Sequence, residues 1–235
     1  MNNFKKFLYE NSEYVKIGGQ RGSNTGGVYT HTPSNKKYYV KFYNDEDQAR
    51  SEALSDRIHE HLGGNTLKHE FTKINGKPAL RSEWVPNMEH VTPETKLNDT
   101  QKKDIATLFH GSTLTNNWDF AGLEHDNLGI HPETKRVHIL DTGASFKFRA
   151  QGGRKPYGPD IDVHDTLRNP QYNPQTSDIM DRFVSAKHLQ AAHRPLTPED
   201  HEHIKKLFME SGISNKEELH KNFVERTNKL HARYS

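Results

Sequence analysis

The clearest alternation of apolar and polar positions falls at residues 36–43, "KKYYVKFY". Tyr38, Tyr39, Val40, Phe42 and Tyr43 favour a strand, and alternation sets Tyr39, Lys41 and Tyr43 on one face and Tyr38, Val40 and Phe42 on the other. Before it, "VKIGGQRGSNTGGVYTH" predicts strand, glycine-rich turn and strand, with Ser34-Asn35 turning the chain into the third strand. After it the period changes. Residues 44–64, "NDEDQARSEALSDRIHEHLGG", predict a helix capped by Asn44 or Asp45 and stopped by Gly63-Gly64. Its inner stripe runs through Ala49, Ala53, Leu54, Arg57, Ile58, His61 and Leu62. "HEFTKINGKPALRSEWV" then predicts a hairpin turning at Asn75-Gly76. Up to Val85 the pattern is five strands and one helix in an antiparallel sheet.

The pattern changes near Pro86. A polar connector leads to a helix from about Asp99 to Leu114, with Ile105, Leu108 and Phe109 inward. "NLGIHPETKRVHILD" predicts a second hairpin, and 142–175, rich in Gly, Pro, Asp and Asn, predicts long loops. Three helices follow. They are "SDIMDRFVSAKHLQAA"; "TPEDHEHIKKLFMESG", with Thr197 as N-cap and Pro198 at the first position; and "SNKEELHKNFVERTNKLHARY", with Ser214 and Glu217 as a capping box. The fold class predicted is α+β and bilobal: residues 1–86 form a β-rich N-lobe with one helix, and 87–235 a mainly helical C-lobe.

Composition refines this. With 31% hydrophobic residues and a mean hydropathy of −1.01, the core must be economical and the surface polar. The net charge of +2 gives no argument for nucleic acid or membrane. The absence of cysteine excludes a disulfide framework and thiolate metal sites. No stretch approaches the roughly 18 apolar residues of a membrane span, and residues 1–15 lack a signal-peptide apolar run, so a cytoplasmic protein is expected. The 16 histidines include two "HEH" triplets, 59–61 and 201–203, whose i, i+2 spacing splays the rings apart on a helix; solvated helix faces are expected there.

One lysine then stands out. Lys41 sits mid-strand, and its face must meet water, a carboxylate or a ligand, because an isolated buried ammonium is very costly. Glu52, about two turns into the following helix, can reach it if that helix packs on the sheet. The turn just upstream, Gly18 to Tyr29, offers Gly18, Gly19, Gly22, Ser23, Asn24, Gly26 and Gly27, whose backbone amides are free to approach a polyphosphate. Glycine loop, strand lysine and helix glutamate, in that order, form the ATP-clamping half of a protein-kinase-like fold. Further on, Asn127 opens the second hairpin and Asp141 ends it; these are hard oxygen donors suited to Mg²⁺. Asp119 lies upstream and could accept a hydroxyl proton.

Residues 17–155 resemble the atypical kinases grouped with HipA toxin kinases and type II phosphatidylinositol kinases, and more closely the small kinase modules of bacterial polymorphic toxins and phage proteins. "GSNTGGVY", "KYYVKFY", "SEALSDRIHEHLG", "NNWDFAGLEHDNLGI" and "ILDTGASFKFRAQGG" carry the resemblance. It implies that Lys41 holds the ATP α- and β-phosphates and Glu52 pairs with it, that Asp119 is the catalytic aspartate, and that Asn127 and Asp141 bind the metal. It sets "RSEWVP" as the hinge, with the backbone near Glu83 and Val85 facing adenine.

The chain departs from the pattern twice. The glycine loop is not G-x-G-x-x-G, and Asp119 precedes Asn127 by eight positions where these kinases use five, so three residues must be looped out. Asp126 is the alternative acid, expected to point away in an extended strand. Trp118 is expected in the core, and Lys147, Arg149, Arg154 and Lys155 form a basic segment able to dock an acidic or phosphorylated substrate. The activity expected is ATP- and Mg²⁺-dependent phosphoryl transfer to a Ser or Thr of a protein or of the chain itself. The alternatives are a nucleotide-binding module without turnover, nucleotidyl transfer, and a lipid or small-molecule kinase. A phage protein or effector would act in a host cytoplasm.

Overall fold

The computed structural model describes residues 13–20 and 25–235. An antiparallel sheet comes first: β1 (Tyr14–Lys16), β2 (Gly26–His31), β3 (Lys36–Phe42), β4 (Glu70–Ile74) and β5 (Lys77–Glu83), in the order β1-β2-β3-β5-β4. The β4–β5 turn is made by Asn75 and Gly76, both at positive φ (52° and 76°), as a two-residue hairpin of matching twist requires. Between β3 and β4 runs α1 (Glu46–His61), whose N-cap Asp45 accepts from the Asp47 N–H.

The sheet buries both faces. Val40, Ala79, Ile74 and Tyr14 pack on one side, with Tyr29, Tyr38 and Phe42 against them. On the other side Tyr43 and Leu80 meet Ala49 and Ala53 of α1. α1 is covered twice, because Leu54 and Ile58 pack against Phe146, Phe208 and Phe223 of the second lobe. This double cover explains two departures from the stripe read in the sequence. Arg57 is exposed, whereas His59, expected on a solvated face, is buried with Nδ1 2.8 Å from the Ser55 carbonyl.

The second lobe holds a small sheet, β6 (Glu89–His90), β7 (Leu128–Ile130) and β8 (Val137–Ile139), and the helices α2 (Asp99–Thr115), α3 (Val163–Leu167), α4 (Pro174–Phe183), α5 (Ala186–Ala192), α6 (Pro198–Glu210) and α7 (Lys216–Tyr234). Ile105, Leu108 and Phe109 of α2 are fully buried against Phe120, Leu128 and Ile139. Thr197 caps α6 in a capping box with Asp200, and Pro198 occupies its first turn.

Two helix boundaries differ from expectation. The helix predicted from "SDIMDRFVSAKHLQAA" breaks at Val184, which is extended, and Ser185 starts α5 by accepting from the His188 N–H. α7 begins at Asn215 in the left-handed conformation (φ 59°) rather than in a Ser214–Glu217 box. None of the helices among the described residues is long and apolar enough to cross a membrane.

The C-terminal helix is tied down by polar contacts. Arg226, 2% exposed, donates to the carbonyls of Thr113 (2.6 Å), Gly158 (3.0 Å) and Asp160. Tyr234 reaches His164 Nε2 at 2.8 Å and packs on His110 at 4.9 Å between ring centroids. Burial pushes the His110 pKa down to about 3 and the His164 pKa to about 4, so both stay neutral when folded. An unfolded histidine takes up its proton near pH 6.5. Stability from these two groups is therefore present above that value and lost as pH falls. The melting temperature is expected to drop between pH 7 and pH 5, and His110→Phe to make the drop smaller. An unchanged drop in thermal melts of the variant would assign the acid sensitivity to other groups.

Candidate active site

β3 is the middle strand of its sheet, and its register sets Lys41 opposite Leu80 on the side facing α1. α1 in turn aims Glu52 at that face. Lys41 Nζ lies 2.7 Å from Glu52 Oε1 and 3.0 Å from Asp141 Oδ2. Lys41 is 6% exposed and Glu52 0%. Tyr43, two residues along the same strand face, donates its hydroxyl to Glu52 Oε2. Burial alone would lower the Lys41 pKa, but Asp141 and Glu52 raise it above its ordinary value, so it remains an ammonium. Burial raises Glu52. Burial also raises Asp141, but Lys41 and the Gly143 N–H, 2.8 Å from Oδ1, bring it below the usual carboxylate range. Gly143 is needed here: a Cβ would lie 2.9 Å from Glu52 Oε2 and 3.0 Å from Asp141 Oδ1.

The β7–β8 hairpin brings Asn127 beside Asp141, since the Leu140 N–H donates to the Asn127 carbonyl at 2.8 Å. The eight-residue interval from Asp119 to Asn127 is folded into a compact loop. Gly122 turns it at φ 78°, where a Cβ would meet Asp126 Oδ1 at 2.2 Å, and the Asn127 N–H returns to the Ala121 carbonyl at 3.1 Å. The extra residues are thereby looped out, and Asn127 Nδ2 still donates to the Asp119 carbonyl at 2.6 Å. Burial and the nearby Asp141 push the Asp119 pKa up to about 6.

A cleft of about 480 Å³ opens between the lobes. Of the residues singled out from the sequence, Lys41, Glu83, Val85, Asn127 and Asp141 line it. Glu52 lies behind Lys41. Asp126, expected to point away, lines the cleft as well, because the loop is turned rather than extended. The described glycines Gly18, Gly19, Gly26 and Gly27 do not line it. Gly26 and Gly27 belong to β2, paired with Lys41 and Val40. Gly22, Ser23 and Asn24 lie outside the described residues. Among the described residues no group of three or more His, Cys, Asp or Glu gathers to hold a metal ion. A cation at Asn127 and Asp141 would take its other oxygens from ligand and water, which suits Mg²⁺.

Other residues near the cleft had no local signal. Asp56, one turn after Glu52, accepts from Thr142 Oγ1 at 2.8 Å and from His69 Nδ1 at 2.8 Å. The segment after Asp141 also departs from its sequence reading. Lys155 is buried, its Nζ donating to the carbonyls of Asn116 and Ala144 (2.6 Å), and burial pushes its pKa down to about 6. Lys147 pairs with Glu218, Arg154 with Asp45, and Arg149 Nε donates to the Arg154 carbonyl at 3.4 Å, so all four residues of the supposed docking patch are engaged within the chain. Trp118, expected in the core, is 42% exposed, with its ring 5.2 Å from Lys155 Nζ.

Removing one member of the buried cluster should expose its interdependence. Lys41→Met leaves Glu52 buried without its cation and is expected to cost about 3–5 kcal/mol. Adding Glu52→Gln should recover part of that loss in a double-mutant cycle. Additive losses in denaturant melts would mean that the pair is not energetically coupled.

No protein-family model matches the chain, and no curated protein matches it. Solved structures do. The proinflammatory kinase CtkA of Helicobacter pylori is similar over 95% of this chain and 96% of its own, at 17% identity and a TM-score of 0.62. HipA of Shewanella oneidensis, solved with HipB and operator DNA, covers 100% of this chain and 71% of its own at 11% identity and a TM-score of 0.47. The choline kinase LicA of Streptococcus pneumoniae covers 98% of each chain at 12% identity and a TM-score of 0.38. The likeness to CtkA runs the length of both chains, through the five-stranded sheet, the helix that crosses it and the helical lobe below. The fold of this chain is that of the protein kinases.

Proposed function

We propose that the chain is an ATP- and Mg²⁺-dependent phosphotransferase whose acceptor is an alcohol, a serine or threonine of a protein or of the chain itself. The observation that carries this is the meeting of Lys41, Glu52 and Asp141 within 3.0 Å at the wall of a cleft that Asn127 also lines. Phosphoryl transfer depends on positioning and on stabilising charge. A fixed ammonium beside two oxygen donors for a cation supplies both.

In this proposal the base lies against the backbone of Glu83 and Val85, with Gly18, Gly19, Gly26 and Gly27 on the phosphate side. Lys41, oriented by Glu52, holds the α- and β-phosphates. Mg²⁺, when bound by Asn127 and Asp141, would neutralise phosphate charge. Asp119 orients the acceptor hydroxyl and takes its proton, with Asp126 as the alternative base. The lobe boundary is taken at Pro86, giving 1–86 and 87–235.

Incubation with γ-labelled ATP tests this directly. Label is expected in the wild-type chain or in an added protein acceptor, and Asp141→Ala should reduce it by about a hundredfold or more. No label with either sample would favour a binding module without turnover, and label from the α position alone would indicate nucleotidyl transfer. Asn127→Ala should raise the Mg²⁺ concentration needed for half-maximal transfer while leaving the melting temperature of the free protein near wild type; an unaltered Mg²⁺ requirement would remove Asn127 from the metal site.

A further inference from the structure

The back wall of the cleft holds two polar atoms that nothing in the chain satisfies. β4 and β5 pair with Glu70 opposite Arg81 and Phe71 opposite Leu80, so the next step of the register brings His69 beside Ser82. On the other flank Tyr39 is opposite Ser82 and Lys41 opposite Leu80. Alternation sets Tyr39, Lys41 and Ser82 on one face of the sheet, and they line the cleft together with His69. His69 is 3% exposed and Ser82 2%. Neither His69 Nε2 nor Ser82 Oγ has a hydrogen-bond partner.

His69 is held firmly. Its backbone N–H and Nδ1 lie 3.1 and 2.8 Å from Asp56 Oδ2, and Asp56 Oδ1 accepts from Thr142. With Nδ1 engaged, Nε2 points away from Asp56. A buried polar atom without a partner is costly and rare enough to call for a ligand or a water. Two adjacent ones, on side chains that line a cleft, call for a ligand with a matching polar edge.

We propose that His69 and Ser82 read the N7 edge of a purine base, making the cleft selective for purine nucleotides. This rests on the assignment of the cleft as a nucleotide site. A purine whose 1,6 edge faces the backbone of Glu83 and Val85 turns N7 toward the wall that begins at Ser82. Burial lowers the His69 pKa, but Asp56 raises it more and the net shift is upward. The doubly protonated ring offers Nε2–H as a donor, and N7 is an acceptor. Ser82 Oγ can rotate to serve the neighbouring 6-substituent. A pyrimidine has no atom equivalent to N7 and leaves the histidine unpaired, which is the situation in which polar sites discriminate most strongly.

The test compares Mg²⁺·ATP with Mg²⁺·7-deaza-ATP, which lacks only the N7 acceptor, by calorimetric titration of the whole chain. Wild type should bind ATP about tenfold more tightly. His69→Asn keeps a donor for Asp56 near the position of Nδ1 and removes Nε2; it should weaken ATP to the level of 7-deaza-ATP and leave the analogue unchanged. Ser82→Ala, which removes one hydroxyl and serves if the first variant does not fold, should weaken ATP and 7-deaza-ATP alike, because both carry the 6-amino group. Equal binding of the two nucleotides by wild type, a ratio that persists in His69→Asn, or unchanged binding of both nucleotides by Ser82→Ala overturns the inference while leaving the nucleotide site in place. Absence of any ATP binding to wild type overturns both.

Discussion

An ammonium group almost sealed from water must have its charge balanced nearby, and the architecture follows from how Lys41 meets that requirement. It is carried by a sheet strand, Glu52 by the helix across the sheet, and Asp141 by the end of a hairpin in the other lobe. Desolvating any one of these charges alone costs several kcal/mol. Together they offset one another, so the sheet, α1 and the β7–β8 hairpin are required to meet at one point. Asp141 remains partly open, which leaves the cluster accessible to a ligand from the cleft.

The same logic extends outward along α1. Asp56, buried one turn beyond Glu52, is satisfied by His69 before β4 and by Thr142 just after Asp141. α1 therefore bonds to both lobes through two successive carboxylates, while its apolar side chains pack on the sheet in one direction and on α6 and α7 in the other. The C-terminal helix is integral to this arrangement. Arg226 donates to the backbone carbonyls of Thr113, Gly158 and Asp160, and Lys155 to those of Asn116 and Ala144. Backbone carbonyls thus solvate the buried Arg226 guanidinium, where carboxylates balance the buried Lys41.

Much of the fold was legible because its signals are local. Asn75-Gly76 specifies a turn through its backbone preferences alone, Thr197-Pro198 starts a helix, and Ile105, Leu108 and Phe109 recur at helical spacing. The misread places lack that property. Ser185 caps a new helix only because Val184 is drawn into an extended conformation as its side chain is buried. His59 looked like a surface residue until a second layer of helices covered it. The basic segment at 147–155 looked like a docking patch because Lys147 and Arg154 find their partners, Glu218 and Asp45, 71 and 109 positions away in the chain.

The order of residues determined which side chains could share a strand face or a helix turn, and so that Tyr39, Lys41 and Tyr43 would share one face with Glu52 in reach of Lys41. It also set the hard oxygen donors Asn127 and Asp141 at the two ends of one hairpin. Only the tertiary structure decided that these two groups meet across a single cleft, that Asp126 turns into it, and that His69 and Ser82 stand unpaired in its wall. Strand alternation and helix periodicity act over a few residues. Contacts between segments far apart in the chain depend on desolvation and charge balance summed over the whole packed molecule.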